Sequence, residues 1–135
     1  MRVVIGTNVY LAGFATRGLS SGVVEICIQN HDLFICEALL SEVAKNLVKK
    51  FKLQEAKADE LVTFLQETAT STSPRELPPD NCRDPNDVFL LGLADEAEAD
   101  CIITGDKDLL DMKQWNQTRI LNPRGFYELV RGEGA

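Results

Sequence analysis

A chain of 135 residues, 44% hydrophobic and 26% charged, has the size and composition of one ordinary globular domain with one main core, which excludes a disordered, collagen-like or coiled-coil polypeptide. Its 14 basic and 21 acidic residues leave a net charge of −7, so bulk charge does not make it a nucleic-acid binder; if the substrate is RNA, a cation has to lie between the two sets of anions. No apolar run approaches the roughly 20 residues that span a bilayer, and Met1 to Ile5 is too short for a signal peptide, so a cytoplasmic protein with no membrane contact is expected.

Arg2 to Ile5, a β-branched run bounded by Gly6, predicts a buried strand. Val9 to Ala15 is apolar and fits a short helix or a turn. After the loop Arg17 to Gly22, residues Val23, Val24, Cys27 and Ile28 fall at helical spacing up to about Asn30. Asp32 to Cys36 predicts a second strand. From Leu39 the stripe Leu40, Val43, Ala44, Leu47, Val48 and Phe51 predicts a helix, and Ala58, Leu61, Val62 and Leu65 a second, the two forming a hairpin joined near Lys52-Leu53. Thr68 to Asp80, rich in Ser, Thr and Pro, reads as a loop. Asp84-Pro85 has the chemistry of a helix start, with Val88, Leu90, Leu91, Leu93, Ala94 and Ala97 on the buried face of that helix. Cys101 to Thr104 predicts a third strand, Asp106 to Leu110 one helical turn, Trp115 to Gln117 a loop and Arg119 to Leu121 a fourth strand. Asn122-Pro123 opens a last helix through Phe126, Leu129 and Val130. The boundaries expected are one domain over 1–131 and a flexible tail over 132–135. Strands alternate with helices, the pattern of a mainly parallel sheet covered on both faces.

The four cysteines include no CxxC pair, and His31 is the single histidine, so zinc is not indicated; Cys27, Cys36 and Cys101 sit in apolar segments as buried thiols, and Cys82 is placed in a loop. In open α/β sheets the working site lies beyond the carboxyl ends of the strands. There the sequence offers Gly6-Thr7-Asn8 after the first strand and Thr104 to Asp108 after the third. Glu42 and Asp87 are expected in the first turns of helices following the other crossovers. Asn8, Glu42, Asp87 and Asp106 can thus meet at one edge, with Asp84 and Asp108 nearby. Oxygen donors without His or Cys suit Mg²⁺ or Mn²⁺. Each acid also has a purely structural reading: Asp84 as an N-cap, Asp87 as a first-turn acid favoured by the helix dipole, Glu42 as a solvated acid, Asp106 as a cap and Asp108 as a secondary acid. Lys49, Lys50 and Lys52 read as a solvated helix end, with an RNA-contacting patch as the weaker alternative.

Taken in order, these segments resemble the PIN-domain family. Met1 to Val9 is similar to its opening strand ending in Asp-Thr-Asn-Val, with Gly6 in place of the Asp. Ser41-Glu42-Val43 resembles its helix-borne Glu, and Arg83 to Ala94 the segment carrying the third acid, matched to Asp87. Ala99 to Leu110 resembles the block carrying the fourth, matched to Asp106, and Asn122 to Phe126 the start of its C-terminal helix. The likeness is strongest to the VapC-like toxin branch. It implies a three-layer α/β/α sandwich with a mainly parallel sheet of four to five strands. It also implies a metal-dependent endoribonuclease, the toxin of a type II toxin–antitoxin pair, commonly a homodimer and blocked by its antitoxin. On this resemblance Glu42, Asp87 and Asp106 hold Mg²⁺ or Mn²⁺, Asn8 completes the catalytic set, Thr104, Asp84 and Asp108 are accessory, and metal-activated water cleaves the RNA phosphodiester. With Gly6 the metal affinity is expected to be reduced and the chain weak or inactive. The alternatives are a catalytically degenerate PIN-fold module that binds RNA or protein, and a Mg²⁺-dependent phosphate enzyme or phosphoacceptor domain, which Asp106-Lys107 imitates poorly.

Overall fold

The computed structural model describes residues 1–81 and 87–134. In chain order its elements are β1 (Arg2–Ile5), α1 (Thr7–Ala15), α2 (Leu19–Asn30), β2 (Asp32–Ile35), α3 (Glu37–Lys49), α4 (Glu55–Thr68), β3 (Thr70–Ser71), a 3-10 turn at Pro79–Asn81, α5 (Val88–Ala97), β4 (Cys101–Ile103), α6 (Lys107–Met112), β5 (Gln114–Trp115), β6 (Thr118–Leu121) and α7 (Pro123–Gly134).

Among the described residues the strands form one six-stranded sheet in the order β3-β2-β1-β4-β6-β5. Every pair is parallel except β5 with β6. β1 is central: Val3 lies opposite Leu33 on one side and Cys101 on the other. Such a strand is buried on both faces, which is why Val3, Val4 and Ile5 form an unbroken apolar run rather than an alternating one. Parallel crossovers are right-handed, so the steps from β1 to β2 and β2 to β3 put α1 to α4 on one face, and the reversed step to β4 puts α5 on the other. Packing agrees: α1 meets α2 and α3, α3 meets α4, α2 meets α7, and α5 lies on β1, β2 and β4. The expected α/β/α sandwich is present, with six strands rather than four or five. The two additional strands, β3 and β5, are two residues each, too short to leave a period in the sequence. β5 also corrects the loop expected over 115–117: Trp115 pairs with Thr118 across the turn Asn116-Gln117, where Asn116 takes a left-handed φ of 51°.

Other boundaries moved for local reasons. β2 stops at Ile35, and Cys36 is the N-cap of α3 with no side-chain cap hydrogen bond, so the sequence carried no start signal there. Phe51 follows the end of α3 and is 39% exposed, so it does not extend the buried stripe. α7 continues to Gly134, past the Arg131 at which the domain was expected to end. Asp84, Pro85 and Cys82, given a helix start and a loop, lie outside the described residues. No single described helix is long and apolar enough to cross a membrane; α1 and α2, apolar but bent by 106° at their junction, bury Val9, Tyr10, Leu11, Val23, Val24 and Cys27 in the core.

The thiols of Cys27, Cys36 and Cys101 are buried as expected, and burial pushes Cys27 up to about 12. Tyr10, on α1 and stacked on Phe14 at 5.8 Å, is fully buried, and its hydroxyl has no hydrogen-bond partner among the described residues. Burial raises its phenol well above the ordinary range. An orphaned buried hydroxyl carries a desolvation penalty of about 1–3 kcal/mol, so Tyr10→Phe is expected to stabilise the fold by about 1 kcal/mol in thermal or urea unfolding. A lower melting temperature for the Phe variant would show that the hydroxyl is satisfied in solution.

Candidate active site

Chain order reverses at β1, which has β2 on one side and β4 on the other, and this leaves a crevice beyond the carboxyl ends of β1 and β4. A cleft of about 270 Å³ opens there, lined by Gly6, Thr7, Asn8, Glu42, Lys45, Asn46, Lys50, Asp87, Leu90, Thr104, Asp106 and Leu109. Asn8, Glu42, Asp87 and Asp106, distant along the chain, therefore share one cleft, with Thr104 and Gly6. Asp108 does not line it, and Asp84 lies outside the described residues.

Gly6 is the N-cap of α1. Its N–H donates to Ile103 O at 2.8 Å, and its carbonyl accepts from Val9 and Tyr10, so backbone bonds fix it at the junction of β1 and β4. Its φ of −71° and ψ of 157° are open to any L-residue, so backbone geometry does not require glycine. A Cβ here would meet Thr104 Oγ1 at 3.3 Å, Ile103 O at 3.4 Å and Thr104 Cβ at 3.5 Å. A side chain is admitted if Thr104 gives by a few tenths of an ångström, and it would point at Thr104.

Glu42 lies in the second turn of α3 rather than the first, because the helix begins at Glu37. Its Oε2 accepts from the Thr7 hydroxyl at 2.8 Å, a bond that ties α3 to the start of α1. Asn46, one turn on, donates its side-chain amide to the Glu42 backbone carbonyl at 2.9 Å. Asp87 is the N-cap residue of α5, not a first-turn acid, since that helix starts at Val88, and its side chain makes no cap bond. Asp106 does cap: its Oδ1 accepts from the Asp108 amide at 3.2 Å at the start of α6, and its own amide donates to Thr104 Oγ1 at 3.1 Å. Thr104, only 3% exposed, is thus a buried bracket between Gly6 and Asp106. The structural reading of Asp106 and its place in the cleft hold together.

Three carboxylates in a cleft whose described lining has no histidine or cysteine match a hard divalent cation in donor chemistry. They do not match it in grouping: among the described residues no three His, Cys, Asp or Glu side chains stand close enough together to hold a metal ion. Glu42 and Asp106 each already accept a protein hydrogen bond, and Gly6, between the two strand ends, adds only backbone. The side chains present do not fit a resident metal as they stand.

Thr7, Lys45 and Asn46 line the cleft, and sequence reasoning gave them no role; Lys50 was read as part of a solvated helix end. A signal was available for two of them: Lys45 and Asn46 follow Glu42 by three and four residues and so share its helix face. Thr7 carried no such signal, because its bond to Glu42 spans 35 residues.

No curated protein matches the chain. A family model described as a PIN domain matches residues 2–108, from β1 through the start of α6, and so includes the ends of β1 and β4, all of α3 and the start of α5. PIN domains have a nuclease-type fold and generally use divalent metal ions. With that match over most of its length, on a sheet whose switch point gathers these acids, the chain belongs to the PIN domain family.

Proposed function

We propose that this chain is a PIN endoribonuclease of the toxin-component type, built for Mg²⁺- or Mn²⁺-dependent hydrolysis of RNA and impaired by Gly6. The observation that carries the reading is the cleft itself: Glu42, Asp87 and Asp106 line one crevice with Asn8 and Thr104, around a Gly6 whose backbone accepts an aspartate. With an aspartate at position 6, a divalent cation held there with Glu42, Asp87 and Asp106 would supply a water made nucleophilic at neutral pH. The chain's own residues contribute position. Thr7 aims Glu42 into the cleft, Thr104 and α6 set Asp106, and Asn8, exposed in the first turn of α1, offers an amide to a bound strand. The described residues lining the cleft include no Ser, Cys or His, which supports water as the nucleophile. On this reading the partners are an RNA substrate, an antitoxin protein that fills the same cleft and a second copy of the chain, in the cytoplasm. The experiment is RNA cleavage by Gly6→Asp with Mg²⁺ or Mn²⁺.

A second reading, a non-catalytic module that binds RNA or protein, is favoured by one observation: no three acids group closely enough for a metal. Failure of Gly6→Asp to cleave while the present chain still binds RNA would select it.

A further inference from the structure

The cleft holds cations as well as acids. Lys45 and Lys50 line it, and neither side chain makes an ion pair or hydrogen bond among the described residues. Lys45 lies three residues after Glu42 on α3, the spacing at which a helix pairs opposite charges, yet Glu42 takes the Thr7 hydroxyl instead. Lys50 is the C-cap of α3 and is exposed. Against the three carboxylates these two ammonium groups leave the described lining residues at a formal −1, in a chain of −7. The requirement for a bridging cation is thus met in part by the protein. A second feature has the same sign. Gly6 gives α1 no side-chain cap, and Gly6, Thr7 and Asn8, the start of that helix, line the same cleft. The uncapped N–H groups of a helix start carry partial positive charge.

We infer that Lys45 and Lys50, facing the uncapped start of α1, form a subsite for the phosphodiester backbone of single-stranded RNA that works without a metal ion. The inference rests on the RNA-directed reading and deepens it: phosphate holding and metal holding fall to different side chains. An acidic protein segment suits the cleft less well, because it would press further carboxylates against Glu42, Asp87 and Asp106. A nucleic-acid strand carries charge only at its phosphates, and between them it offers bases and hydroxyls to Asn8 and Asn46. Each lysine that neutralises a phosphate releases counterion, so binding should weaken with salt in proportion to the number of lysines engaged.

The test is fluorescence anisotropy of a labelled 15-nucleotide mixed-sequence RNA titrated with the full chain in EDTA at several NaCl concentrations. The variants are Lys45→Gln, Lys50→Gln and the double variant. Lys57→Gln is the control, since Lys57 is an exposed α4 residue 3.5 Å from Glu60 and outside the cleft. The present chain should bind in EDTA. Each cleft lysine lost should make the slope of log K against log salt shallower by about 0.7, with the double variant weaker by about tenfold or more and Lys57→Gln unchanged. All three lysines are exposed, so the variants should keep the melting temperature of the parent. Equal binding by the double variant, or binding that vanishes in EDTA and returns with Mg²⁺, overturns the inference. So does a polyglutamate peptide that displaces the RNA more strongly than unlabelled RNA does. None of these outcomes touches cleavage by Gly6→Asp, which tests the nuclease reading separately.

Discussion

Gly6→Asp should raise the RNA-cleaving activity of this chain by at least about 100-fold in Mg²⁺ or Mn²⁺, the scale on which a single group that stabilises developing charge is felt. Three facts converge on that size of effect. Gly6 sits at the reversal of strand order, with its N–H held by Ile103, so a new side chain there is positioned by the sheet and not by a loop. Its φ and ψ cost an aspartate nothing. The tightest contact, at 3.3 Å, is with the side-chain oxygen of Thr104, which has to give by a few tenths of an ångström while it still holds the Asp106 amide. The same aspartate stands at the N-cap of α1, where its carboxylate can accept from the first-turn amides and adds a few tenths of a kcal/mol over glycine. Against this, a fourth carboxylate joins Glu42, Asp87 and Asp106, and in EDTA their repulsion lowers the melting temperature of the variant below that of the parent. Mn²⁺ should reverse that loss, since an ion bound only by the folded state stabilises it. Cleavage of a panel of RNAs with and without metal, beside melting curves in EDTA and in Mn²⁺, checks both halves. A variant that gains a metal-dependent melting shift but cuts nothing would give the lineage a binding role; one with neither would remove metal from the account of this cleft.

The largest loss of stability is expected from Gly92→Ala on α5. Every other residue of that helix from Val88 to Ala94 is buried or half-buried, and at Gly92 the chain before the 3-10 turn crosses so closely that an added Cβ would run into the carbonyl oxygen of Arg75. The Arg75 amide donates to Gly92 O at 3.0 Å, so the crossing is held by backbone, while the Arg75–Glu96 pair at 3.8 Å is exposed and adds little. The methyl group must push this strap off the helix or push α5 off β1, β2 and β4. Overpacking of this kind costs about 3 kcal/mol, alanine's better helix propensity returns about 1, and the net loss of about 2 kcal/mol lowers the melting temperature by about 5–10 °C. An alanine variant that melts at or above the parent would mean that the strap is loosely held. Because α5 begins at the Asp87 cap, the same variant in a Gly6→Asp background should also lose cleavage.

What could be read from the sequence divides by range. Val3 to Ile5, the α3 and α4 stripes and the apolar face of α5 were legible because burial imposes a period or an unbroken run on neighbouring residues. The grouping of Glu42, Asp87 and Asp106 was legible only through the order of the strands, since each acid alone has an adequate structural reading. Three features were not legible. The two-residue strands β3 and β5 have no period to display. The start of α3 at Cys36 lacks a capping side chain. The Thr7–Glu42 bond and the Thr104 bracket depend on contacts between segments far apart in sequence. Lys49, Lys50 and Lys52 are exposed, as a solvated helix end should be, and what the sequence did not show is that Lys45 and Lys50 also line the cleft, which depends on how α3 packs on α1.

The brevity of the outermost strands has a further consequence. β3 and β5 close the two ends of the sheet with two residues each, so neither edge presents a long row of open amides and carbonyls. A sheet bounded in this way gives an incoming chain almost nothing to add a strand to, which protects it from edge-on polymerisation when it accumulates in a crowded cell. Were copies of this chain to associate, the helical surfaces would be left for it, where side chains rather than backbone choose the partner.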